Sequence, residues 1–359
     1  MRTVVHRLLW LLATLLLTVG CSSGTAPSKD APQGAPPDPT LAGWVEDDVT
    51  FVADGLTIHG TYRHPPNAKP TPAALLISES GNTDRNGDNA VAGPVGNMRQ
   101  LAEYLEGKGV ASLRYDKVGT GKTGIGPYAL HPADVGSAVY TGGAKAAVRF
   151  LAQQQGTDAS RISVYALGEG TIHAMSLAVD TAPGAPKIHS LGLFQPLPGR
   201  YLDIITGRVR ASTAADVKAG AKTQQQADDV LNAWLAAVDQ IRTKGTVPDK
   251  LPEGLGAIVN PGNVKATVGT DAIDPLALAA RVAAGTPVLL TCSDSDSQAG
   301  CESEKPLIAA FGHAALTVVS LKGVNHVLRD DPSDNVANYA SKAPLSPQLL
   351  TALDQFVAK

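Results

Sequence analysis

Aromatic side chains are scarce, 4% of the 359 residues, so stacking platforms for bases or sugars do not dominate what this chain does. A basic excess is also missing. Lys and Arg number 30 against 33 Asp and Glu, a formal net charge of -3, and nucleic acid is not an expected partner. The N-terminal apolar run, Leu8 to Val19, is about a dozen residues and too short to cross a bilayer as a helix. Cysteine is limited to Cys21, Cys292 and Cys301. What remains is 43% hydrophobic and 18% charged, enough for a sizeable core in one large α/β domain or two small ones. No metal site and no cofactor are expected.

Arg2, His6 and Arg7 precede the apolar run, which closes on Thr18-Val19-Gly20-Cys21. Positive residues, a short apolar core and small residues before a cysteine resemble a bacterial lipobox. The resemblance implies that residues 1–20 are removed and that Cys21 becomes a diacylated first residue. Two acyl chains would hold the protein at the membrane, on its extracytoplasmic face. The alternative is an ordinary secretory signal with an incidental cysteine. Residues 22–43 are Ser-, Pro-, Gly- and Ala-rich with little to bury, a tether between lipid and domain. In an oxidising compartment Cys292 and Cys301 read as one local disulfide, since a zinc site would need two more ligands.

Alternating apolar residues mark 49–53 and 56–62, split by Asp54-Gly55, and read as a hairpin. Continuous apolar runs follow at 73–78, 110–115, 162–167, 188–194, 288–291 and 316–321, the pattern of strands buried on both faces. Helical periodicity lies between them at 98–105, 135–155 and 171–179, and again at 349–357. This order predicts an α/β fold, a mostly parallel sheet with helices on both faces. Between 195 and 286 the alternation lapses. Residues 216–243 read as one long polar helix with Val230, Leu231, Trp234, Leu235, Val238 and Ile241 on a stripe. The segment 197–284 is expected to form a helical cap on the domain 44–359.

Four segments, in order, resemble the α/β-hydrolase superfamily, in particular its bacterial carboxylesterase and serine-aminopeptidase-like branch. Ile77-Ser78-Glu79-Ser80-Gly81-Asn82-Thr83-Asp84-Arg85-Asn86-Gly87 resembles the Gly-Ser-Gly-Pro-x-Asp-Arg-x-Gly loop that supplies an oxyanion N–H. Glu79 stands where that loop has glycine. A carboxylate is an odd neighbour for a site that stabilises negative charge. Asp84 and Arg85 also read as a plain structural pair. Arg114-Tyr115-Asp116-Lys117-Val118-Gly119-Thr120-Gly121-Lys122-Thr123 resembles the turn after the fourth strand. Its Gly-Lys-Thr is not a phosphate loop, because Asp116 sits where that motif needs glycine.

The third segment, Ala166-Leu167-Gly168-Glu169-Gly170-Thr171, resembles the Gly-x-Ser-x-Gly elbow, with Gly168 in the place of the nucleophilic serine. The fourth is split. Cys292-Ser293-Asp294-Ser295-Asp296-Ser297-Gln298 puts Asp296 at the triad acid, with Asp294 as the fallback, and Gly323-Val324-Asn325-His326 puts His326 at the base. Ser80, Gly81 and Glu169 are the expected binding residues around the oxyanion loop and elbow. The expectation is therefore an esterase-like domain, catalytically impaired, that serves the envelope by binding an acylated or amphipathic small molecule. The alternative is an active ester or acyl hydrolase that uses water activated by His326 and Asp296, or by Glu169. The anchor is tested directly: a labelled lipid precursor should enter the full chain and be absent from Cys21→Ala, whereas labelling that persists in the variant refutes it.

Overall fold

Asp54 and Gly55 both take positive φ, 48° and 80°, and fold the chain back between β1 (Val45–Ala53) and β2 (Leu56–His64). Two consecutive left-handed residues match the twist of paired strands, so the Asp-Gly pair makes the expected hairpin. The computed structural model describes residues 43–66, 69–252 and 254–357. The expected signal segment, Cys21 and nearly all of the tether lie outside the described residues.

Six further strands complete one sheet: β3 (Thr71–Ile77), β4 (Ala111–Tyr115), β5 (Thr157–Leu167), β6 (Ile188–Phe194), β7 (Pro287–Ser293) and β8 (Ala315–Leu321). Their order is β1-β2-β4-β3-β5-β6-β7-β8. β2 meets both β1 and β4 antiparallel, and every later pair is parallel. Each of the six continuous apolar runs is a strand. In β3 the residues divide by parity: Ala73, Leu75 and Ile77 enter one core, Ala74 and Leu76 the other. A strand alternates faces, so burial on both requires the unbroken run seen in the sequence.

The helices that cover those faces are α1 (Asn97–Glu106), α2 (Ser137–Ala152), α3 (Gly170–Ala178), α8 (Lys305–Ala310) and α9 (Pro347–Val357). α1 and α9 place Met98, Leu101, Leu105, Leu349, Leu353 and Phe356 on one side. α2, α3 and α8 pack on the other with Ala147, Leu151, Ile172, Met175 and Leu307.

Between β6 and β7 lie α4 (Tyr201–Lys218), α5 (Gln224–Lys244), α6 (Val264–Asp271) and α7 (Pro275–Ala279). The single helix expected over 216–243 is thus two. The break falls at Gly220, φ 69°, and α5 restarts at Thr223, whose side chain forms a capping box with Gln226. Of the expected stripe, Trp234, Val238 and Ile241 are buried against Leu202, Ile205 and Val209 of α4. Leu235 instead faces outward, 40% exposed, one residue past the stripe. Trp234 is fully buried and its indole N–H donates to Thr206 Oγ1 at 2.9 Å.

Cys292 and Cys301 are joined as a disulfide with Cα atoms 4.9 Å apart. It closes the loop that leaves the end of β7 and carries Asp296. Replacing both cysteines by serine should destabilise the domain by roughly 2–3 kcal/mol, the loop-closure entropy released to the unfolded chain. Urea unfolding of the double variant beside the oxidised parent measures it, and an unchanged midpoint would contradict it.

Candidate active site

β5 ends at Leu167 and the chain turns sharply into α3 through Gly168, whose φ is +54°. The Gly168 N–H donates to Phe194 O at 3.1 Å, and Thr171 Oγ1 donates back to Gly168 O at 2.6 Å. The elbow is therefore fully formed although its apex carries no side chain. Left-handed φ strains any other residue and costs glycine nothing. Ser163, the nearest hydroxyl upstream, is tied to Ser190 across the sheet at 2.8 Å and stays in the strand.

The loop after β3 lies directly on this elbow. A Cβ at Gly170 would stand 2.8 Å from Ser78 O and 2.9 Å from Ile77 O, so only glycine permits the approach. The closeness brings Glu79 over the apex. A Cβ at Gly168 would stand 1.9 Å from Glu79 Oε2 and 2.6 Å from Oε1. The carboxylate occupies the volume that a side chain at position 168 would need. Sequence reasoning noted Glu79 only as an anomaly in a donor loop and missed that its side chain fills the vacancy at Gly168.

The loops after β7 and β8 bring Asp296 and His326 together. His326 Nδ1 is 2.8 Å from Asp296 Oδ2, and Asp296 Oδ1 accepts from the amides of Gln298 (2.7 Å) and Ala299 (3.1 Å). The fallback, Asp294, is elsewhere, accepting from the Gly323 amide at 2.9 Å. On its other side His326 Nε2 is 2.5 Å from Glu79 Oε2. Glu79 Oε1 accepts from the Ser80 amide at 2.6 Å. One carboxylate thus takes both the histidine contact that a serine hydroxyl would make and one amide of the expected oxyanion loop.

Two acceptors on one ring fix its protonation state. Burial alone would push the His326 imidazole down, but Asp296 and Glu79 outweigh it and hold the ring well above its ordinary 6.5. Burial likewise disfavours the Glu79 carboxylate. The charge on His326, its hydrogen bond and the Ser80 amide prevail and bring Glu79 from 4.5 to about 2. At neutral pH His326 is an imidazolium, both N–H groups donating, between two carboxylates. Such an ion has no lone pair with which to take a proton from water or a hydroxyl.

The surroundings correct one further expectation. Asp84 and Arg85 do not pair with each other. Arg85 grips Asp116 (Nη2–Oδ2 2.8 Å, Nε–Oδ1 3.0 Å), while Asp84 caps its own loop by accepting from the amides of Asn86 and Asp88. The Arg85–Asp116 pair fastens the Glu79 loop to the turn after β4. In that turn a Cβ at Gly121 would meet Asp116 Oδ2 at 2.2 Å, and Lys122 N and Thr123 Oγ1 both bond to Asp116. The Gly-Lys-Thr triplet serves the turn. Lys117, buried beside Tyr140, donates to Glu79 O, and burial brings its ammonium down to about 8.

Glu169 stands at the N-cap position of α3 without a side-chain capping bond, and burial pushes its carboxyl up; it is not among the partners of His326. Asp334, which no motif marked, accepts from His326 N (2.9 Å), Ser297 N (2.9 Å) and the Tyr339 hydroxyl (2.6 Å), and so straps the histidine loop to the acid loop. A cavity of about 150 Å³ opens over Glu79 and His326, with Ser80, Gly81 and Glu169 in its wall. Val95, Leu197, Ile205, Val327 and Val336 make its lining largely apolar, and Arg208 of α4 adds a cation.

The ion triad makes stability depend on pH at both ends. The lowered Glu79 contributes fully above its unfolded value of 4.5, and its contribution drains away as pH falls toward about 2. The raised His326 contributes fully below 6.5 and loses its share as pH climbs through its folded value. The direct check is the His326 imidazole proton shift by NMR. The ring should stay protonated above pH 6.5 in the parent, and in Glu79→Gln its midpoint should fall; a parent ring that titrates at 6.5 would contradict the clamp.

No family model and no curated protein matches the chain. Solved structures do. An esterase from Pyrococcus furiosus superposes with TM-score 0.53 at 15% identity, covering 94% of this chain and 98% of that one. Est1E from Butyrivibrio proteoclasticus, with ferulic acid bound, gives TM-score 0.53 at 15% identity over 87% of this chain and 100% of its own. The α/β hydrolase GrgF from a Penicillium species gives 0.51 at 16% identity over 88% and 100%. Identities this low speak to the fold alone. With eight strands in one mostly parallel sheet and helices on both faces, the chain has the α/β-hydrolase fold.

Proposed function

We propose that this is a cell-envelope lipoprotein in which an esterase-like α/β-hydrolase domain binds a small amphipathic molecule and no longer carries out acyl transfer through serine. The observation that carries the reading is the position of Glu79 Oε2, 1.9 Å from where a Cβ at Gly168 would stand and 2.5 Å from His326 Nε2. Three requirements of the serine mechanism fail together. The attacking oxygen has no residue to carry it, the base is already protonated, and the Ser80 amide already has an acceptor.

The second reading, hydrolysis by water that His326 and Asp296 activate, needs a free lone pair on Nε2. Glu79 would have to leave the ring and its buried carboxylate would lose its partner, a costly separation. Glu169 stands in the cavity wall but is not among the hydrogen-bond partners of His326. The envelope location follows from the expected lipidation of Cys21 and the disulfide. The apolar cavity over the clamp suits a small ligand with an apolar body.

The pairing of positions 79 and 168 makes the reading testable on the full chain in detergent with short and long p-nitrophenyl esters. Gly168→Ser alone should stay inactive, because the new side chain must expel Glu79 from His326 and from the Ser80 amide. Gly168→Ser with Glu79→Gly, which restores the glycine of the resembling loop, should gain turnover of at least about 10³-fold over the parent, the scale lost when a triad nucleophile is removed. Parent turnover that His326→Ala abolishes, or full activity in Gly168→Ser alone, would overturn it.

A further inference from the structure

The cavity wall contains one cation that no carboxylate claims among the described residues. α4 turns Tyr201, Ile204, Ile205 and Arg208 toward the cavity, a spacing that lines one face of a helix. Arg200, just before α4, and Arg242 of α5 are by contrast committed, both ending on Asp271, each at 2.8 Å. The Arg208 guanidinium is half-buried and feels Asp296 and Glu79 only at a distance, with no hydrogen bond to either. Both of those carboxylates already have their donors, in His326, the Ser80 amide and the amides of Gln298 and Ala299.

The charges around the cavity set what the guanidinium can receive. Glu79 and Asp296 are both spent on His326, so among the described residues the Arg208 guanidinium has no carboxylate partner of its own in the cavity. A guanidinium fork matches a carboxylate with two parallel N–H donors. One unpaired guanidinium offers a single fork, which suits one carboxylate. The rest of the lining offers apolar surface from Val95, Leu197, Ile205, Val327 and Val336.

We propose that Arg208 is the ligand anchor of this cavity and that the ligand is an amphipathic monocarboxylic acid, its carboxylate on the guanidinium and its apolar body along the lining. This rests on the binding reading above and names the ligand class for the same site. It requires nothing of Glu79 and His326 except that they stay paired and form the floor.

Calorimetric titration of the full chain in nonionic detergent with octanoate and with octanamide, each against a detergent blank, tests it. Octanoate should bind at least about tenfold more tightly than octanamide, as a charge-assisted pair predicts. Arg208→Gln should bring the two affinities together, and Arg208→Lys should keep part of the preference. Equal affinities in the parent, or a preference that survives Arg208→Gln, would overturn the anchor while leaving the cavity as a binding site. Binding of neither probe would overturn the anchor and the binding reading together. Should Arg208→Gln fail to fold, the parent's octanoate-to-octanamide ratio and the Arg208→Lys variant still decide.

Discussion

A protonated imidazole held between two carboxylates is the interaction on which the site depends. His326 hydrogen-bonds to Asp296 through one nitrogen and to Glu79 through the other, at 2.8 and 2.5 Å. Each arm comes from a different strand end: Glu79 from the loop after β3, Asp296 after β7, His326 after β8. The ion triad therefore ties three loops together above the centre of the sheet. Removing His326 would leave two buried carboxylates without their shared cation, which costs far more than the net worth of either pair. Supporting contacts act on the same loops: Arg85 on Asp116 for the first, and Asp334 between the other two.

The arrangement also explains why the glycine at 168 and the glutamate at 79 belong together. Taken alone, a glycine at the elbow leaves a hollow beside the histidine, and a glutamate in a donor loop places negative charge where donors are wanted. Combined, the glutamate fills the hollow and satisfies the ring. The remaining cavity has a largely apolar lining and, among the described residues, one guanidinium with no carboxylate partner.

Much of this was legible in the residues. Six apolar runs fixed six strands because a strand buried on both faces has no polar positions to spare. Asp54-Gly55 set the hairpin through two positive φ angles, and the resemblance of the loops after the last two strands to those of α/β hydrolases singled out Asp296 and His326. The failures have physical causes. The polar stretch 216–243 hid a break at Gly220, since two consecutive amphipathic helices share one periodicity when the gap between them is short. Leu235 was placed by hydropathy on a stripe that geometry carries past it. Asp84 and Arg85 are neighbours in sequence, yet their side chains leave the chain toward different partners. Glu79 was the largest miss: local sequence gives the identity of a loop side chain but not its reach, and the contact with His326 spans 247 positions. Asp334 and Arg208 lay in no motif, and only tertiary packing brings them to the site.

The tight fit between Glu79 and the bare apex at Gly168 couples what the two positions can hold. Any side chain at 168 would share its volume with the Glu79 carboxylate, its Cβ 1.9 Å from Oε2. A small residue at 79 would instead leave an open hollow beside the ring, which solvent can fill. On this backbone a glutamate at 79 therefore demands glycine at 168, while glycine at 168 demands nothing of 79.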